Sequence, residues 1–196
     1  LGHSNATHAQ TRAALEAGAT GFTHLFNAMS PFSAREPGVI GTALDDQKAW
    51  CGLILDDCHV NPAILRIAFR ARPLDRFMLV TDAMPTVGMA EKTFTLQGRR
   101  ITVENGVCVT ADGTLAGSDL EMIRAVRNCA AFEEVGPAEA VRMASAYPAA
   151  FLGLAGEVGT IAAGMRASLV AVDAEFNVVE TWIDGAPSKA RTPIDA

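Results

Sequence analysis

Short apolar runs recur along the first part of the chain, and each leads into a polar residue. Leu1-Gly2 precedes His3, and Gly21-Phe22-Thr23 precedes His24. Cys51 to Leu55 leads through Asp56, Asp57 and Cys58 into His59, and Phe77 to Val80 leads through Thr81 into Asp82. Runs this short read as buried strands. Between them, Ala6 to Ala17 predicts a helix stopped by Gly18, Thr20 to Phe26 a strand, and Pro31 to Gly41 a loop. Trp50 to Leu55 predicts the next strand. Asn61 is placed to cap a helix that opens with Pro62 and runs to about Ala71, because Pro needs no N–H partner there. Phe77 to Thr81 is a further strand. Strands alternating with helices favour parallel pairing and an α/β fold.

The pattern then changes. Thr93 to Val109 alternates short β runs with turns at Gln97-Gly98 and Asn105-Gly106, and Asn-Gly is a strong hairpin signal. Asp112-Gly113 supplies another turn. Ser118, with Glu121 three residues on, predicts a capped helix reaching Phe132. A second helix is expected from Pro137 to Leu152, ended by Gly153 and kinked at Pro148. Ala167 to Ile183 returns to β structure, with a turn at Asp184-Gly185, and predicts part of a small β domain.

Composition narrows the class. Of 196 residues, 49% are hydrophobic and 19% charged, enough to bury a sizeable core in one or two domains. The net charge of −6 and the lack of a long basic run argue against a nucleic-acid surface, leaving room for a local cationic pocket for a small anion. No apolar stretch reaches the ~18 residues of a membrane span, and no signal peptide is visible. Cys51, Cys58, Cys108 and Cys129 form no Cys-x-x-Cys pair and predict reduced thiols in a cytoplasmic protein, with Cys51 and Cys58 read as buried. The start at Leu1, without Met, predicts a fragment or a processed product.

Polar residues at the C-terminal ends of parallel strands are where (β/α) barrels keep their chemistry. A neutral imidazole is a good ligand for Zn²⁺ or Fe²⁺, so His3, His24 and His59 are candidates, and Asp82 could take a proton from a metal-bound water. Any one of these histidines alone reads more readily as a simple hydrogen-bonding residue, and Asp82 alone equally as a helix cap or turn former; the shared placement favours the metal reading. His8 is expected at the surface. Arg35 could grip a phosphate or pair with Glu36. The amide of Asn27 could meet a ligand or form a turn. Asp56 and Asp57, being adjacent, point to opposite faces of a strand and read as supporting groups. The turn Gly113 to Ser118, leading into a helix, could offer backbone N–H groups to a polar ligand.

The segments GHSNAT (Gly2 to Thr7), THLFNAM (Thr23 to Met29), REPG (Arg35 to Gly38), LVTDAM (Leu79 to Met84) and DGTLAGS (Asp112 to Ser118) together resemble N-acetylglucosamine-6-phosphate deacetylases of the amidohydrolase superfamily. GTIAAGMRASLVAVD (Gly159 to Asp173) resembles the closing β segment of amidohydrolases. The resemblance implies the C-terminal half of a (β/α)8 barrel over residues 1–158, with a β-hairpin insertion near 93–110, and a segment of a small β-sandwich domain over 159–196. It implies metal-dependent deacetylation of N-acetylglucosamine 6-phosphate to glucosamine 6-phosphate and acetate. His3 and His24 match the metal-binding histidines and Asp82 the catalytic acid/base. Asn27, Ala28, Arg35, His59, Leu115, Ala116 and Gly117 match substrate contacts. The cofactor implied is a divalent metal, zinc or iron. The partners implied are an amino-sugar phosphate and a second copy of the chain, with Arg35 reaching into the neighbour's site. A metal-binding Glu and a substrate-contacting His of the family would lie in an N-terminal half before Leu1. The sequence DDCH (Asp56 to His59) departs from the family, which has Gly second. Two other readings stand beside this one: an amidohydrolase acting on another N-acyl or cyclic amide, and an inactive half-barrel serving as an interaction module.

Overall fold

The computed structural model describes residues 1–188, so the expected β segment is described over 159–188 only. Three parallel strands lie at the centre: β1 (Gly21–Phe22), β2 (Trp50–Leu53) and β3 (Phe77–Leu79), in the order β1-β2-β3. Phe22 lies opposite Cys51, Cys51 opposite Phe77, and Leu53 opposite Leu79. The strands are shorter than their apolar runs predicted. The backbone turns at His24, and Ile54 and Leu55 continue past β2 as buried coil. Phe22, Leu25, Leu53, Leu55, Phe77 and Leu79 are buried in one core, each contributing about 1.5–3 kcal/mol.

Helices cover this sheet. In α1 (His8–Glu16) the side chain of Thr7 caps the amide of Gln10, whose own side chain returns to the amide of Thr7. In α3 (Pro62–Ala71) Asn61 Oδ1 accepts from Ala63 N at 2.9 Å, as the Asn-Pro pair predicted. The helix buries Leu65, Ala68 and Phe69, the spacing of one helical face. The Phe69 ring meets Phe77 and Phe132 edge-on at 5.6 and 5.3 Å. A 3₁₀ turn, Leu74–Arg76, leads into β3. Arg72 is buried where these parts meet. It donates to the carbonyls of Ala43 and Ala49 and to Cys51 Sγ, and lies over the Phe77 ring.

Four expectations are corrected. The span Pro31 to Gly41 is not all loop, because α2 (Gly38–Asp45) begins inside it. Ser118 does not cap a helix. It lies in a strand, and α4 (Met122–Ala130) begins after Glu121 without a side-chain cap. The helix expected over 137–152 is two, α5 (Gly136–Ala144) and α6 (Ala146–Phe151), broken at Ser145. Pro148 cannot donate to a preceding turn, and the chain re-enters the helix with Pro in its first turn. Cys58 is exposed, while Cys51, Cys108 and Cys129 are buried.

The hairpin region is a four-stranded antiparallel sheet of β4 (Thr93–Leu96), β5 (Arg99–Glu104), β6 (Val107–Thr110) and β7 (Leu115–Ser118). Gln97-Gly98 and Asn105-Gly106 both take positive φ, as their tight turns require. β7 also runs parallel to the segment after β3, pairing Ser118 with Ala83. A third sheet, of β8 (Leu169–Val172), β9 (Val178–Ile183) and β10 (Ala186–Pro187), is antiparallel. Among the described residues no helix is long and apolar enough to cross a membrane.

Candidate active site

All three strands of the parallel sheet deliver a titratable side chain beyond the same, C-terminal, end: His24 after β1, His59 after β2 and Asp82 after β3. The backbone there is unusual. His3, His24, Phe26, Ala28, Asp57 and Asp82 all hold positive φ, which ordinary side chains rarely adopt. Such conformations cost on the order of 1–3 kcal/mol each and persist where the surroundings over-determine them.

The surroundings do so at His3 and His24. Thr23 N donates to Leu1 O at 2.9 Å, Ser4 N to Ala28 O at 3.0 Å, and Ser30 N to Ser4 O at 3.3 Å, so the segment holding His3 lies along Thr23–Ser30. Gly2 allows this approach, since a Cβ there would overlap the side chain of Thr23. The result brings His3 Nε2 to 2.8 Å from His24 Nε2, with the rings edge-on. The contact needs a hydrogen on one nitrogen and a lone pair on the other. His3 is exposed and His24 is 7% exposed, and the remaining His24 nitrogen, Nδ1, is buried without a hydrogen bond. Leaving it so costs about 1–3 kcal/mol.

Two converging imidazole nitrogens are the donor chemistry of a borderline-soft divalent metal such as zinc. They supply two of the three or four protein ligands such a metal usually takes. Among the described residues no third His, Cys, Asp or Glu joins them in a group able to hold a metal. Asp82 stands on the far side of β2 from His24, about 10 Å away at ordinary strand spacing. Its side chain is exposed, and its backbone is fixed by β7: Ser118 N donates to Asp82 O and Met84 N to Ser118 O, both at 2.9 Å. Ser118 Oγ donates to Thr81 O. Gly117, at φ +96, sits so close that a Cβ would lie 2.9 Å from Asp82 O. The turn segment matched to substrate contacts is thus a strand docked on Asp82: Leu115 is exposed, Ala116 half-buried and Gly117 buried.

His59 is held differently. Its Nδ1 lies 2.6 Å from Asp56 Oδ2, and both side chains are 3% exposed. Asp56 Oδ1 accepts from the amides of Cys58 and His59 at 3.0 and 2.8 Å. Burial pushes the Asp56 carboxyl up, but the His59 side chain and these two amides outweigh it, and the net direction is down. Asp57 turns away and is exposed at φ +67. The pairing of Asp56 with His59 was not read from the sequence, although an Asp three residues before a His at a strand end was the available signal.

Among the remaining candidates, Asn27 donates its side-chain amide to the carbonyls of His24 and Leu25, the turn-forming role. Ala28 is exposed and its carbonyl holds Ser4. Arg35 is exposed and, among the described residues, makes no ion pair. The expected partner, Glu36, is engaged elsewhere: its Oε1 accepts from the amides of His8 and Gly38, at 2.7 and 2.9 Å, where α1 and α2 begin. His8, expected at the surface, keeps part of its surface exposed. It is half-buried, with Nδ1 2.9 Å from Thr42 Oγ1.

The profile of the amidohydrolase family matches residues 1–187. An N-acetylgalactosamine-6-phosphate deacetylase of Escherichia coli O157:H7 is 45% identical over 185 residues, 94% of this chain and 49% of that protein. An N-acetylglucosamine-6-phosphate deacetylase of Vibrio furnissii is 39% identical, over 94% of this chain and 46% of its own length. The crystal structure of N-acetylglucosamine-6-phosphate deacetylase from Pasteurella multocida superimposes with a TM-score of 0.91 at 36% identity, covering 97% of this chain and 50% of that one. The chain therefore spans about half the length of these relatives.

Proposed function

The chain belongs to the amidohydrolase family, and from that premise we propose that it carries the acid/base and phosphate-binding part of a deacetylase acting on N-acetylglucosamine 6-phosphate. The observation that carries the reading is the meeting of His3 Nε2 and His24 Nε2 at the sheet end that also bears His59 and Asp82. In this reading residues 1–158 form the second half of a (β/α)8 barrel, and residues from 159 on belong to a small β domain. The remaining ligands come from the other half of that barrel.

His3 and His24 would hold a divalent metal, zinc or iron. When bound, it supplies Lewis acidity and lowers the pKa of a coordinated water. Asp82 takes a proton from the attacking water and returns it to the nitrogen as the C–N bond breaks, releasing acetate and the free amine. A carboxylate two strands from His24 leaves room for water and amide between them. Arg35 grips the phosphate and His59 meets the same sugar phosphate, and Arg35, exposed and without an ion pair among the described residues, is free to reach into the site of a second copy. Asn27 and Ala28 shape one wall of the sugar site, and Leu115, Ala116 and Gly117 the other.

A second reading concerns the sugar. The relative from Escherichia coli O157:H7 at 45% identity, and one from Shewanella at 41%, are named for the galacto epimer, against 39% for the Vibrio protein. These names make N-acetylgalactosamine 6-phosphate the competing substrate of the same reaction. Acetate release from both phosphorylated epimers and from unphosphorylated N-acetylglucosamine separates the readings. The two parallel charge-assisted hydrogen bonds of the Arg35 guanidinium to phosphate predict at least a 100-fold preference, about 3 kcal/mol, for a phosphorylated sugar. Equal turnover without phosphate would indicate an amidohydrolase of another N-acyl or cyclic amide. Turnover of neither would indicate the interaction module.

A further inference from the structure

The turn Asp56–His59 is built around one carboxylate. Both of its oxygens are committed, Oδ1 to two backbone amides and Oδ2 to the His59 ring. Asn128, from α4, fixes the preceding residue by donating to Leu55 O at 2.9 Å. The whole arrangement sits at the end of β2, between the strands that deliver His24 and Asp82. An ionised carboxylate can only accept, so the hydrogen of the Asp56–His59 contact lies on Nδ1.

The other ring nitrogen has no such partner. His59 lines a cleft of about 300 Å³ among Phe26, Phe32, Ile40, Ile64 and Ile67, with Asn61 the one other polar residue of its lining. Among the described residues no side chain or carbonyl bonds His59 Nε2. A nine-tenths-buried imidazole, tied at one nitrogen and unpartnered at the other in an apolar cleft, is arranged to meet a polar group from outside.

We propose that Asp56 is a positioning residue: it locks His59 in one ring orientation and one tautomer, so that the Nε2 lone pair is presented to a hydroxyl of the sugar phosphate. The proposal rests on the reading of His59 as a substrate contact. It explains why Asp57 tolerates φ +67 where glycine would be easier, because the Asp56 carboxylate, one residue before it, holds the amides of the two residues after it.

The test is Asp56→Asn, which keeps an oxygen for the two amides but no longer dictates which ring nitrogen carries the hydrogen. Retention of the wild-type melting temperature to within a few degrees checks the fold. Long-range ¹⁵N–¹H spectra of the imidazoles read the tautomer directly, whether or not the protein turns over substrate. We expect His59 to leave the Nδ1–H form in this variant. We also expect KM for the phosphorylated sugar to rise about 10- to 100-fold, the scale on which the hydrogen-bond partners of metal-ligating histidines act, with kcat within threefold of wild type. In a His59→Gln background, Asp56→Asn should add no further rise in KM. An unchanged His59 tautomer, or a KM rise of equal size in the His59→Gln background, overturns the proposal. Absence of turnover in the wild type would instead fall on the deacetylase reading, and the tautomer would still decide the positioning.

Discussion

Gly117→Ala is the perturbation that links the four-stranded sheet to the chemistry of Asp82. Gly117 has φ +96, and an added Cβ would lie 2.5 Å from Met84 Cε, 2.8 Å from Met84 Cγ and 2.9 Å from Asp82 O. An alanine at such a backbone angle costs about 1–2 kcal/mol. Met84 can swing its terminal methyl aside, but its Cγ and the Asp82 carbonyl are closer to the backbone, and overpacking of this kind adds about 1–3 kcal/mol. The sum is about 2–5 kcal/mol of stability. Relief of the contact must also push the Asp82 backbone back by roughly half an ångström, which predicts a fall in kcat of about tenfold or more. Gly113→Ala is the control: its φ is +81, yet nothing lies within 4 Å of the added Cβ. It should show the backbone cost alone, about 1–2 kcal/mol, with turnover kept. Urea unfolding and single-substrate kinetics on the two variants give both quantities. Equal losses of stability, or normal kcat in Gly117→Ala, would refute the view that β7 sets the position of Asp82.

Three further outcomes follow from the geometry. Asp82→Asn should lower kcat by about 10²- to 10⁴-fold with KM little changed, read from acetate release. Arg72→Met should cost about 2–4 kcal/mol in urea unfolding, because it strips charge-assisted donors from the buried carbonyls of Ala43 and Ala49; a loss below half a kcal/mol would contradict the assignment. The amides of His8 and Gly38 hold the Glu36 carboxyl below its ordinary value of 4.5. Its folded pKa is depressed, so its contribution is present above pH 4.5 and is lost as pH falls through the lower folded value. Glu36→Gln should therefore lose stability near neutrality and show a flatter acid limb when urea midpoints are followed against pH.

What the sequence made legible was local. Asn61-Pro62 specified a helix start with its own cap, and Asn105-Gly106 specified a turn, because each signal is complete within a few residues. α2 was hidden by Pro37, Gly38 and Gly41, which read as a loop. Gly41 is small because Pro37 and Phe32 crowd it, a tertiary reason invisible to a local pattern. Ser118 fits a capping signature, yet its backbone bonds to Asp82 and Met84, 30-odd residues earlier, prevail over it. The same divide runs through the site. The histidines and Asp82 announced themselves by standing at the ends of apolar runs. The closeness of His3 and His24 depends on the accommodation of Gly2 by Thr23, and the Asp56–His59 pair on a left-handed Asp57, and neither can be read from spacing.

Acetate release from the two N-acetylhexosamine 6-phosphates, compared between the wild-type protein, His24→Asn and Asp82→Asn, bears on the central assignment most directly. The account predicts phosphate-dependent turnover in the wild type and its near-complete loss in both variants, with each still folded. Full turnover in either variant would contradict it.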